Sequence, residues 1–167
     1  MKLFKKLAAA VLVAALALMM VGCGSKTVLT RQVKNMVSDL VAMYGDQATD
    51  SKDLDALAAK LLTECDNAIA ESEEGEQPDL WKLLDDEKFL QKVGIDPEKD
   101  AYLVSWKPVP SYLSDTMNMQ KPLVLAQGLL SGDTYYEIGE PDLGSKYEFG
   151  LAIGTLDGEN WALMIAK

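Results

Sequence analysis

The hydrophobic periodicity predicts an α+β domain, with N-terminal helices packed on one face of a C-terminal antiparallel sheet of about four to five strands. Three observations carry this expectation. Between Val28 and Val93, apolar residues recur at spacings of three and four, which places them on single helix faces. From Ala101 onward the period changes to two. Asp157-Gly158 then separates two alternating apolar runs, a short-range hairpin signal. Helical runs followed by strand runs are the pattern of α+β domains. Residues 28–167 contain no internal repeat and no interior linker long enough to divide them, so they read as one domain.

The elements follow in order. The first helix spans Val28 to Tyr44, with Leu29, Val33, Met36, Val37, Leu40 and Tyr44 on one face, and Gly45 stands where a glycine ends a helix. Asp46 to Asp53 reads as a polar connection. Asp50 or Ser51 is then placed to cap a second helix reaching about Ala70, with Asp53 and Asp55 near its positive dipole end. Leu54, Leu57, Leu61, Cys65 and Ala68 share its inner face, and Ala58, Leu62 and Ile69 widen it. The run Glu71 to Asp79 is charged, broken by Gly75 and Pro78, and reads as an exposed loop. A third helical region covers Asp79 to Val93 and divides at Asp85-Asp86-Glu87, with Asp85 as a second N-cap.

Tyr102, Val104 and Trp106 alternate along the first strand, and Pro108 and Pro110 suggest that it lies at a sheet edge. Ser111 to Gln120 has no assignment. Leu123 to Leu130 is expected to be a strand, turned by Ser131-Gly132-Asp133 into another at Thr134 to Ile138. After a loop from Gly139 to Ser145, Tyr147, Phe149, Leu151 and Ile153 line one face of a further strand, with the small residues Gly150, Ala152 and Gly154 opposite. The last strand is apolar on both faces, with Trp161, Leu163 and Ile165 on one and Ala162, Met164 and Ala166 on the other, so it belongs inside the sheet.

Residues 1–26 are organised differently. Lys2, Lys5 and Lys6 precede the uncharged run Leu7 to Val21, and the run ends at Gly22-Cys23-Gly24. A span needs roughly 20 apolar residues, so this run suits the apolar region of a secretory signal. Met20-Val21-Gly22-Cys23 resembles the lipobox of bacterial lipoproteins, with Met where that family usually has Leu. The resemblance covers only residues 1–25. It implies a signal peptide over residues 1–22, a diacylglyceryl thioether on Cys23, and a domain held on the outer face of a bacterial membrane. Two or more acyl chains give stable anchoring without a spanning helix. Residues 23–27 then form the lipidated anchor and a short tether.

Charge and composition exclude several functions. The chain has net charge −10 from 16 basic and 26 acidic residues. Loss of 22 of its 167 residues, three of them lysines, leaves 145 residues with a net −13. Such a domain is expected to repel nucleic acid and anionic lipid headgroups, and no basic cluster supports a nucleic-acid role; only Lys26, Arg31 and Lys34 are gathered near the anchor, where they can sit opposite headgroups. There is no histidine, which removes imidazole acid/base chemistry and His-based metal sites. With Cys23 acylated, Cys65 has no partner for an intramolecular disulfide, and a small buried core side chain is its expected role.

The remaining signals are weak. Gly139-Glu140-Pro141-Asp142-Leu143-Gly144-Ser145-Lys146 has the glycine spacing of a phosphate-binding loop, but Ser and Lys are in the wrong order and a strand follows where a helix is required. Glu137, Glu140 and Asp142, or Asp46, Asp50 and Asp53, offer oxygens for Ca²⁺ without EF-hand spacing. Trp81, Trp106, Tyr112, Tyr135, Tyr136 and Trp161 can serve packing or a ligand surface. No cofactor or metal site and no catalytic residue is assigned. The leading expectation is a non-enzymatic, lipid-anchored binding or accessory domain whose partner is an envelope protein or cell-wall component. The competing expectations are a small envelope hydrolase using carboxylates and a small-solute receptor.

Overall fold

The computed structural model describes residues 25–72, 79–111, 120–131 and 134–167. Residues 1–24, which include Cys23, most of the expected Glu71–Asp79 loop, Tyr112, and Gly132 and Asp133 of the expected turn lie outside these residues. The fold is α+β. In chain order the elements are α1 (Ser25–Met43), β1 (Gln47–Asp50), α2 (Lys52–Glu71), α3 (Leu80–Asp85), α4 (Glu87–Val93), β2 (Tyr102–Pro108), α5 (Gln120–Leu130), β3 (Tyr135–Ile138), β4 (Lys146–Leu156) and β5 (Glu159–Ala166). The strands form one sheet in the order β1-β4-β5-β2-β3. β5 is central, as its two apolar faces require. The β4–β5 hairpin turns through Asp157 (φ 50) and Gly158 (φ 76), the left-handed pair that matches the twist of its strands.

The layering is two-sided rather than one-sided. One core lies between the sheet and α2, α3 and α4, and includes Leu61, Leu84, Val104, Leu163 and Ile165. The other lies between the opposite sheet face and α1 and α5, and includes Val33, Val37, Leu125, Phe149 and Met164. Both faces of β4 and β5 are thus covered, and the apolar residues on both sides of β5 carry this information in the sequence.

Three assignments are corrected. Leu123–Leu130 is not a strand but most of α5, which buries Pro122, Leu125, Ala126 and Leu129 at helical spacing. A short apolar run does not distinguish strand from helix by periodicity, and Pro122 is tolerated because it stands in the first turn. The polar connection after Gly45 contains β1, which pairs parallel to β4 from Gln47↔Lys146 to Asp50↔Phe149, so the sheet is mixed. β2 is not an edge strand, since it pairs with β5 on one side and β3 on the other. Its proline fits because the Trp106 N–H points to Thr134 O at 3.4 Å on the β3 side, so the missing donor of Pro108 falls just beyond the end of β3.

Smaller differences have equally local causes. Tyr44 is not on the inner face of α1 but just past its end and exposed, where the chain turns at Gly45. The second cap in the α3–α4 region is Asp86, which accepts from Lys88 N, while Asp85 ends α3 and accepts the Tyr136 hydroxyl. The small-residue stripe of β4 is filled by α2: a Cβ on Gly150 would fall 2.1 Å from Leu54 C, and one on Gly154 2.7 Å from Leu62 Cδ2. Close approach of helix to strand is therefore the use of this stripe, and it leaves no groove there.

Candidate functional site

The acidic candidates do not converge into a site. Among the described residues, no three His, Cys, Asp or Glu side chains are grouped as metal ligands. Asp50 and Asp55 do approach one another, around Lys34 of α1, whose Nζ lies 2.7 Å from Asp50 Oδ1 and also pairs with Asp55 Oδ2. This is an ion-paired clip between the two helix layers at the β1 edge. Asp96 pairs with Lys99, whose ammonium together with the Glu98 N–H holds the Asp96 carboxyl below its usual range. The phosphate-loop look-alike leads directly into β4, so no helix N-terminus faces it.

The aromatics divide. Trp81 meets Trp106 edge-on at 4.8 Å and Tyr136 at 6.0 Å, while Tyr136 donates to Asp85, whose hydrogen bond pushes the phenol up to about 12. This cluster roofs the end of the α2-side core, although Trp81 remains partly exposed. Tyr135 points to the other face of β3, and Trp161 packs against the α2-side core.

Cys65 is fully buried in the α2-side core, and burial there, reinforced by the neighbouring Glu64 carboxylate, pushes its thiol up to about 12. Thiolate is the reactive form. The Cys65 thiol should therefore resist a disulfide-exchange reagent at pH 8 in the folded protein and react fully once urea unfolds it. Labelling at the same rate in both states would remove Cys65 from the core.

The opposite side of the sheet carries a different feature. A cleft of about 860 Å³ opens where α1 begins, α5 begins and the β4–β5 hairpin turns. Apolar walls come from Leu29, Val109, Val124, Leu125 and Ile153, with Pro108 and Pro110 at one rim. Among the described residues, three lysines, Lys26 of α1, Lys107 of β2 and Lys121 of α5, share this lining with one acid, Glu159. On a chain with ten more acidic than basic residues, that local excess of positive charge is a reversal.

Each lysine is placed by the backbone around it. Lys107 projects toward α5, and its stem lies against Gly128, where an added Cβ would be 3.0 Å from Lys107 Cγ. Beyond Pro108 the strand direction is kept by the Val109 N–H donating to Asn160 O at 2.8 Å. Lys121 stands in the first turn of α5 and is buried to 4% exposure. Among the described residues, the Lys26 and Lys107 ammonium groups form no ion pair. Ser105, two residues before Lys107 on the same face of β2, is buried with its hydroxyl unpaired among the described residues.

Sequence reasoning missed this cleft, because its lysines belong to three elements distant in the chain. No protein-family model matches the chain, and neither a curated protein nor a solved structure is similar to it. Among the described residues, no helix is long and apolar enough to cross a membrane.

Proposed function

We propose that this chain is a bacterial lipoprotein whose domain acts as a non-enzymatic binding or accessory module, tied by Cys23 to the outer face of the membrane. The observation that carries the reading is the run Leu16 to Lys26, in which an apolar segment ends at Gly22-Cys23 and turns polar at once. The fold is compatible with this, since α1 begins at Ser25, two residues after the proposed acylation site. A tether of that length keeps the domain close to the bilayer. The partly apolar cleft with a few polar groups is the kind of concavity that binding sites use. The carboxylates that do converge, Asp50 and Asp55, are held by Lys34, which favours binding over carboxylate catalysis.

Cys23→Ser tests the anchor. The variant should leave the membrane pool or accumulate with its leader uncleaved, and it should lose incorporation of labelled fatty acid. Wild-type levels of fatty-acid incorporation in Cys23→Ser would sink the assignment.

A further inference from the structure

We propose that the lysine-lined cleft binds a phosphate-bearing anion attached to an apolar body, as an anionic phospholipid presents it. The proposal rests on the anchored reading for the source of that anion, and on the cleft itself for the chemistry.

The chemistry comes first. Lys26, Lys107 and Lys121 come to one concavity from three separate elements, and among its described lining residues Glu159 is the one acid; the cations offered to a ligand are Lys26 and Lys107. Ammonium groups are compact point charges suited to phosphate oxygens. Lys26 and Lys107 are not committed to ion pairs among the described residues, so an incoming anion displaces no internal partner from them. Beside the lysines the lining carries accessible aliphatic side chains, with Val124 exposed and Val109 and Ile153 half-buried. A small hydrated anion would leave those side chains unused, whereas a headgroup with the start of its acyl chains would use both parts.

Position gives the second argument. Lys26 follows Cys23 by three residues, so their Cα atoms are separated by no more than about 11 Å. If Cys23 carries the diacylglyceryl group, the Lys26 end of the cleft stands at the level of the headgroups, a layer roughly 5–7 Å thick on each side of the hydrocarbon. The negative potential of the rest of the domain is screened over a Debye length of about 8 Å at physiological ionic strength. At contact distance the lysines of the lining therefore act on a headgroup more strongly than acidic side chains farther away than that length.

Native mass spectrometry of the full chain in a non-ionic detergent is the test, with phosphatidylglycerol, phosphatidylcholine and inorganic phosphate as separate probes. One phosphatidylglycerol adduct per chain is expected, preferred over phosphatidylcholine, and reduced at least tenfold in occupancy by Lys26→Gln combined with Lys107→Gln. Glu159→Gln should raise it. Circular dichroism of each variant shows whether the domain is still folded. Inorganic phosphate retained as tightly as the lipid, and lost in the double variant, would assign the source to free phosphate. Equal retention of both lipids without phosphate binding, or wild-type phosphatidylglycerol occupancy in a folded double variant, would overturn the proposal. The readout does not require a lipid on Cys23. Loss of the anchor reading alone would therefore leave the lipid preference intact, and loss of the cleft reading alone would leave the Cys23→Ser result intact.

Discussion

Gly150→Val should destabilise the domain by about 3 kcal/mol or more, the upper end of what overpacking a core position costs. The reason is backbone against backbone. A Cβ at residue 150 would sit 2.1 Å from Leu54 C and 2.3 Å from Asp55 N, so no rotamer of a neighbour relieves the clash. Either α2 lifts from β4 or the strand bends, and both open the core that contains Ala58, Leu61 and Leu163. Two other glycines make the test graded. Gly154→Ala meets only the end of the Leu62 side chain at 2.7 Å, which can rotate, so about 1 kcal/mol is expected. Gly144→Ala meets nothing within 4 Å and should change stability by less than about 0.5 kcal/mol. Urea midpoints read the three together. A Gly150 variant no worse than the Gly144 variant would mean that α2 does not lie against β4 as described.

That close approach fixes α2 on the sheet. The helix runs along β4 and holds the backbone at two places, one in the strand and one in the turn after it, with carboxylates from its first turn and from farther along its length. Asp55 Oδ1 accepts from Leu151 N at 2.9 Å, and Asp66 Oδ1 accepts from Asp157 N at 2.9 Å. On the outer side, Lys92 of α4 reaches Glu64 Oε2 at 2.8 Å. The core between them needs no large side chains on β4, which is why that face reads Gly150, Ala152, Gly154.

Much of this was legible in the chain. The long helices α1 and α2 declare themselves because each repeats its apolar spacing over several turns, and β4 and β5 declare themselves through alternation and the Asp157-Gly158 turn. β1 was illegible because it is a four-residue edge strand, Gln-Ala-Thr-Asp, with almost no buried surface to impose a period. α5 was misread because Leu123-Val124-Leu125 looks the same as a buried strand until its partners are known. The two-sided layering was half visible: the double apolar face of β5 implied it, while the grouping of helices before strands suggested a single layer. The cleft was invisible for a different reason. Lys26, Lys107 and Lys121 become neighbours only after α1 and α5 pack on the same face, and nothing periodic links them. A usable hint was Lys107 beside Pro108 and Lys121 beside Pro122, two cations each placed next to a residue that ends or begins an element.

Asp55→Ala is the second variant expected to have a large effect, about 2–3 kcal/mol. Its cause lies in how β1 gives way to α2. The parallel register pairs Asp50 with Phe149, and the Ser51 N–H continues the ladder by donating to Phe149 O at 2.8 Å. The next ladder bond would run from Leu151 N to Ser51 O. Ser51 O instead accepts the Asp55 N–H at 2.9 Å as the first turn of α2 closes. Leu151 N would be left unpaired, and the Asp55 carboxylate takes the place of the missing strand carbonyl. The same carboxylate, near the positive end of α2, holds Lys34, whose side chain is 13% exposed. Truncation to Ala therefore removes an acceptor from a partly buried amide and one of two partners from a largely buried ammonium, each costing on the order of 1–1.5 kcal/mol. Asp55→Asn separates the two. It keeps an oxygen for Leu151 N and loses the charge facing Lys34, so about 1 kcal/mol is expected. Amide exchange gives a local readout: Leu151 N–H should exchange much faster in Asp55→Ala than in Asp55→Asn. Equal exchange and equal stability in the two variants would mean that the carboxylate does not complete the strand, and that the clip on Lys34 alone holds the β1 edge.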